Sequence, residues 1–339
     1  MRSTGYSEPV SKRLILVDVD GTLINSRQQV PDSARRVLHA ATAAGHILLL
    51  CTGRSLPEIY PWIWDLGFSG MIGGSGAWVR VGSVVVADHR MPTVDVQDMS
   101  RRFDSLGVQW LWQTPTDFYP STDFLATFSE KRSTSSYPAE IDVEELGNAP
   151  HYPGEDSYDP SARTQPGTSA RTQPGISTQP AGGTSAQPAG ADSDSDWSAY
   201  AARISPFLRS DPPQSASKGT FLIPDGNPLH PDETVAPYDG RYIALTGSVE
   251  GESGLAGEIL INGITKATGL EEAAAYLGVK ARDAIMFGDS PNDLAVFNAV
   301  DTAVAMGNST ENVKDAADMI VPGIDDDGLA YGFEQLGLV

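Results

Sequence analysis

Cysteine is all but missing from this chain. Cys51 is the only one, so no intramolecular disulfide can form and a cysteine-based zinc cluster is excluded. Basic residues are scarce as well: 23 Lys and Arg stand against 44 Asp and Glu, a formal net charge of -21. That balance argues against non-specific nucleic-acid binding and against anionic membrane surfaces. No apolar run approaches the roughly 18 residues needed to span a bilayer, and the N-terminus lacks an apolar signal core. These absences predict a soluble, cytoplasmic protein. The apolar fraction of 40% is low for a packed chain of 339 residues, which hints that part of the length does not pack. The length itself suggests about two domains. An anionic substrate would need local capture on such an acidic chain, with a metal ion as the obvious agent.

What is present begins at Leu14. Leu14 to Val17 form a short branched apolar run, the pattern of a strand buried on both faces. The run ends in Asp18, Asp20, Gly21 and Thr22, and ligands of open α/β sheets bind at the C-terminal ends of strands. Asp18 and Asp20 are two apart, so on a regular strand they share a face, where a cation or a proton must relieve their repulsion. The bland alternative is a strand end followed by Asp-Gly turn chemistry.

Further along, a helix is predicted from Pro31-Asp32-Ser33 to Gly45 and a second buried strand from His46 to Cys51, ending in Thr52-Gly53-Arg54. Ser55 to Leu66 reads as a helix with Ile59, Trp62, Ile63 and Leu66 on one face, and Gly70 to Gly74 as a strand. Strands alternating with helices imply a parallel sheet. From about Ala77 the pattern changes: Trp78–Val81 and Val84–Val86 bracket Gly82-Ser83 as a hairpin, and a second domain is expected to begin there. Trp197, Tyr200, Ala201, Ile204 and Leu208 fit one helix face, while 221–223, 242–245 and 258–261 fit strands. The α/β pattern then resumes with a helix at 270–277, a strand at 284–287 and the run Gly288-Asp289-Ser290-Pro291-Asn292-Asp293. Smaller elements follow to a closing helix at Leu336. The first domain is therefore expected to be split by the second.

One stretch cannot pack. Ser161 to Gly167 recurs as Ser169 to Gly175, and Pro, Gly, Ser, Thr and Gln dominate residues 153–196. Ordering such a segment gains little burial against its entropy cost. It is predicted to be a disordered insertion, with a tether for an unknown partner as the alternative.

Four polar clusters fall at these strand ends or just after the second domain: Asp18/Asp20/Thr22, Thr52/Gly53/Arg54, Lys266, and Asp289/Asn292/Asp293. Together they resemble the haloacid dehalogenase superfamily of phosphotransferases, in particular its Cof-like branch with an α/β cap. Residues 305–308 and 326–330 look like that branch's C-terminal signatures. The resemblance implies a doubly wound, mostly parallel α/β core at 13–80 and 262–339, after a tail at 1–12, with an inserted α+β cap at 81–261.

By this resemblance, the activity would be Mg2+-dependent hydrolysis of a small phosphate ester such as a sugar phosphate or phosphorylated cofactor. Asp18 would be the nucleophile and Asp20 the general acid and base, with crowding favouring a proton on Asp20. Magnesium would take the Asp18 carboxylate, the Asp20 carbonyl and Asp289. Thr52, Gly53, Lys266 and Asn292 would hold the phosphoryl group, with Thr22, Asp293 and Arg54 supporting them. Taken singly, Lys266 also reads as a solvated lysine and Asp293 as a first-turn helix acid; the role of Arg54 is open. Cys51, Trp62 and Trp64 read as packing, and Asp325–Asp327 as a solvated helix start. Ser75-Gly76-Ala77 and Lys266-Ala267 depart from the branch's usual Asn-Gly-Ala and Lys-Gly. A phosphomutase and a non-catalytic regulatory protein are the rival readings.

Overall fold

The structure, a computed structural model, describes residues 12–125, 203–224, 226–246 and 255–339. Strand β1 (Leu14–Val17) is buried along its whole length. It is flanked in parallel by β2 (Ile47–Cys51) and β11 (Ile285–Gly288). The branched run thus fills the centre of an eight-stranded sheet ordered β13-β12-β11-β1-β2-β3-β4-β5. Its outer members are β3 (Phe68–Gly73), β4 (Trp78–Val81), β5 (Val84–Asp88), β12 (Thr302–Ala305) and β13 (Met319–Ile320). Alternation sorts the side chains: Ile15 and Val17 join one apolar cluster with Leu38, Phe287 and Phe333. Leu14 and Leu16 join another with Leu49, Met286 and Leu270. Helices α1 (Asp32–Ala43) and, later in the chain, the closing Gly328–Gln335 helix cover the first face.

The second sheet is antiparallel, ordered β7-β6-β8-β10-β9. Its strands are β6 (Gln109–Gln113), β7 (Phe118–Pro120), β8 (Lys218–Ile223), β9 (Tyr242–Thr246) and β10 (Leu255–Ile261). Helix α2 (Thr93–Leu106) packs Met99 and Phe103 on Trp112 and Phe221. From the other face, Leu111, Phe118 and Leu222 enter the same apolar cluster as Leu56, Ile59 and Trp62 of the first unit. A polar bond crosses that seam, Ser55 Oγ donating to Gln113 Oε1 at 2.9 Å, and within the second sheet Gln113 Nε2 donates to Thr220 Oγ1 at 3.1 Å.

Two expectations change. The hairpin at Gly82-Ser83 forms, yet β4 and β5 extend the first sheet instead of opening a second, so that sheet runs on to Asp88, past the expected boundary at 81. Ser55–Leu66 is not one helix: Pro57 and Pro61 divide it into 3-10 turns at Leu56–Glu58 and Pro61–Leu66. The apolar positions are buried all the same. Asp325, Asp326 and Asp327 are exposed at a helix start, as expected, and Asp325 and Asp327 also accept from Asn25 and Ser33. The insertion at 153–196, the tail and most of the helix through Trp197 lie outside the described residues. Among the described residues no helix is long and apolar enough to cross a membrane.

Candidate active site

The C-terminal ends of β1, β2 and β11 lie side by side and carry three of the four polar clusters, and the fourth, Lys266, reaches them from the start of a helix. Asp18 prolongs β1, its N–H bonded to the Phe287 carbonyl at 2.9 Å. Gly21 then turns with φ +77°, and a Cβ there would lie 2.2 Å from Asp289 Oδ2. Glycine therefore lets the loops after β1 and β11 close upon each other. Thr22 donates to Asp289 Oδ1 at 2.9 Å. Asn308, from the signature after β12, secures the same loop by donating to the Gly21 carbonyl at 2.9 Å.

Lys266 opens helix α3 (Lys266–Leu277), whose N-cap is Thr265. Its side chain is buried, and its Nζ donates to Asp18 Oδ1 at 2.9 Å, Asn292 Oδ1 at 2.7 Å and Asp293 Oδ1 at 2.7 Å. Burial opposes the lysine's charge, but Asp18 and Asp293 overcome it and hold the ammonium protonated. Asp293 Oδ2 accepts the N–H groups of Asp289 and Ser290, each at 3.1 Å. The residue thus both supports the turn and grips Lys266, which unites its two readings from sequence.

Carboxylate oxygens of Asp18, Asp289 and Asp293 lie within 4.8 Å of one another. Burial, with the neighbouring carboxylates, pushes Asp18 well above the ordinary value against the pull of Lys266. Asp289 is pushed up to about 6 by burial, with the Thr22 bond opposing and Asp293 adding. One lysine cannot balance three gathered carboxylates, and an all-oxygen donor set suits a hard divalent cation. Lys266 and Thr22 engage Oδ1 of Asp18 and Oδ1 of Asp289, which leaves the Oδ2 atoms for such an ion.

Asp20 departs from expectation. Its side chain is 56% exposed and does not join the cluster; Arg54 grips it through Nε at 2.8 Å and a terminal nitrogen at 2.6 Å. Crowding by surrounding protein atoms disfavours its charge although the side chain still meets solvent, but Arg54 more than compensates and lowers its pKa. Crowding by like charges therefore does not protonate Asp20 in this arrangement, because a guanidinium stands nearer than the carboxylates do. Arg54 is itself anchored on the Glu58 carbonyl at 2.8 Å and on Gln28 at 3.3 Å.

Thr52 is buried at the end of β2 and its Oγ1 accepts the Arg54 N–H at 3.2 Å. Gly53 follows, 3.4 Å from Ser75 Oγ by a Cβ built upon it. Ser75 sits at φ +58° and donates its N–H to the Thr52 carbonyl at 3.1 Å. Burial pushes the Cys51 thiol up, so it stays a core group. Sequence reasoning did not reach Gln28, Tyr60 or Arg203, which stand around Asp20; no spacing in the chain points to them.

The family model for haloacid dehalogenase-like hydrolases matches residues 15–150 and 225–333. YkrA of Bacillus subtilis (strain 168), provisionally named a phosphatase, is 22% identical over 338 residues, 97% of this chain and 100% of that protein. The 5-amino-6-(5-phospho-D-ribitylamino)uracil phosphatase YitU of the same organism is 38% identical over 73 residues, 22% of this chain and 27% of YitU. The solved subclass IIB sugar phosphatase BT4131 superposes with a TM-score of 0.61 at 19% identity, covering 97% of this chain and 100% of that one.

Proposed function

Because this chain belongs to the haloacid dehalogenase-like hydrolase family, and is thus a phosphoryl-transfer hydrolase, we propose that it is a magnesium-dependent phosphomonoester hydrolase acting through an aspartyl-phosphate on Asp18. The observation that carries this reading is the three-way contact of Lys266 Nζ with Asp18, Asn292 and Asp293, beside Asp289. It fixes one buried carboxylate at a strand end, next to a cation that can face a phosphate. Asp18 and Asp289, with the Asp20 carbonyl, would hold the magnesium ion. When bound, it neutralises charge on the phosphoryl oxygens and relieves the crowding of the carboxylates.

In the first half-reaction an Asp18 oxygen bonds to phosphorus, and the bond to the leaving oxygen breaks as Asp20 supplies its proton. In the second, Asp20 takes a proton from water, the hydroxide oxygen bonds to phosphorus, and the Asp18 acyl-phosphate bond breaks to release phosphate. The ionised, Arg54-paired state of Asp20 suits the second half; the first requires that this pairing loosen. Thr52, Gly53, Asn292 and Lys266 orient the phosphoryl group, and Thr22, Asp293 and Arg54 hold the groups that act. The first sheet with its helices forms the core and the second sheet the cap, which excludes bulk water from the acyl phosphate. A small phosphorylated metabolite, a sugar phosphate or phosphorylated cofactor, is the substrate class in keeping with the relatives.

The test is Mg2+-dependent phosphate release from an aryl phosphate. Asp18→Asn and Asp20→Asn are expected to abolish it; unchanged turnover in the Asp18 variant would rule out the nucleophile.

A further inference from the structure

Arg54 takes its place from the turn that follows it. Its Nη1 donates to the Glu58 carbonyl at 2.8 Å. Glu58 closes a tight turn upon Ser55: its N–H donates to the Ser55 carbonyl at 3.0 Å, and its carboxylate accepts the Ser55 N–H at 2.6 Å. The position of this turn therefore sets where the guanidinium meets Asp20. Both Asp20 oxygens are engaged by that fork, which fixes the plane of the carboxylate.

The second sheet grips the turn at three of its four residues. Ser55 donates its hydroxyl to Gln113 Oε1 at 2.9 Å. Leu56 donates its N–H to the Pro115 carbonyl at 3.2 Å, just beyond the end of β6. Lys218, opposite Gln113 in the ladder, is a buried ammonium held by Glu258 at 2.5 Å, and its charge reaches Glu58. Gln113 is itself buried, and its amide is bonded at both ends, to Ser55 of the first unit and to Thr220 of its own sheet. Leu111, two residues earlier on the same face, packs on the first unit through apolar contact, which has no preferred direction. A buried amide does have one. Slippage at either end leaves a buried polar atom unpaired, so the amide fixes the sheet and the turn in one register.

We propose that Gln113 is a positioning residue for the second half-reaction: through Ser55 and Glu58 it keeps Arg54 seated on Asp20 while the acyl phosphate is hydrolysed. This deepens the phosphatase reading and rests on it. The two half-reactions ask opposite things of Arg54. Departure of the leaving group needs the pair to loosen, whereas attack by water is served by the pair as it stands. Loss of the Gln113 bond lets the turn drift and takes Arg54 with it, so hydrolysis suffers and transfer to Asp18 does not.

The experiment follows p-nitrophenyl phosphate by rapid quench, with the full-length protein and Mg2+. Nitrophenol released in the first turnover reports transfer to Asp18, and decay of acid-trapped phosphoenzyme reports its hydrolysis. Gln113→Met keeps the length of the side chain and removes its hydrogen bonds. It is expected to slow hydrolysis about tenfold, the scale of one buried hydrogen bond left unmade, and to leave transfer within about twofold. Ser55→Ala removes the same bond from the other side, is expected to do the same, and serves if Gln113→Met does not fold. In an Arg54→Ala background, Gln113→Met is expected to change hydrolysis by no more than about twofold, because its path runs through the guanidinium. Both half-reactions slowed alike, as a loosened fold would give, would overturn the proposal, and so would the full effect of Gln113→Met in the absence of Arg54. Variants that form and hydrolyse the phosphoenzyme at parental rates sink this proposal alone. A parent that forms no phosphoenzyme sinks the aspartyl-phosphate reading and this proposal with it.

Discussion

Lys266 is enclosed and charged at once, a state that its neighbours impose. Asp18 and Asp293 sit within 3 Å of its ammonium, and removing one partner of such a buried set typically costs about 3–5 kcal/mol. The cluster still carries more acid than base, and a divalent ion bound there, as proposed, would add to its stability as well as its chemistry. Asp289 shows the sign. Its pKa in the folded protein is about 6, above the ordinary 3.8, so in the metal-free protein folding favours its protonated form. The stability it contributes is complete below its unfolded pKa and is lost as the pH rises through about 6. Magnesium held by that carboxylate, as proposed, would reverse the preference. We expect the Mg2+-induced rise in Tm to be small near about pH 5 and to grow by about pH 7. A thermal-melt series in which the rise does not change with pH would remove Asp289 from the metal's ligands. The residues of this cluster were legible in the sequence because each stands at a strand or helix end with a marked neighbour: Gly21, Thr265, Pro291. The ionisation of Asp20 was not, because it depends on Arg54, whose distance from Asp20 no local pattern encodes.

At the level of elements, the crossover between the two sheets depends on a contact that only glycine permits. Gly76 has φ +100°, and a Cβ there would lie 1.9 Å from the Thr265 carbonyl. Thr265 in turn caps the helix that begins with Lys266, so a clash at Gly76 reaches the site through backbone. We expect Gly76→Ala to cost at least about 1 kcal/mol in urea unfolding and to lower kcat. A variant as stable and as active as the parent would show that the approach is dispensable. The strands were readable because β1, β2 and β11 are short apolar runs of the kind that burial on both faces demands. Two elements were less so. Val84–Val86 alternates too little to say which sheet it joins, and β5 found its place by pairing with β4. Ser55–Leu66 carries helical spacing, but Pro57 and Pro61 withhold the N–H groups that a continuous helix would need, and 3-10 turns bury the same side chains.

For the whole molecule, the order of strands in space differs from their order in the chain, and that difference assembles the site. The strands bearing Asp18 and Asp289 are neighbours although the entire second sheet lies between them in sequence. An architecture of this kind asks only that the intervening chain leave after Asp88 and return at Ile261. It sets no limit on length inside the excursion, since closure cost grows only logarithmically with loop length. Residues 153–196, with their repeated Ser-Ala-Arg-Thr-Gln-Pro-Gly, bring almost no large apolar side chains to the excursion. Halving a loop changes stability by only about 0.6 kcal/mol, which for a protein of this size moves Tm by a few degrees at most. We therefore expect deletion of residues 153–196 to leave Tm within about 3 °C by calorimetry and phosphate release intact. A drop of many degrees would mean that the segment packs. In that case the second sheet would owe part of its stability to a stretch whose composition argues that it has nothing to bury.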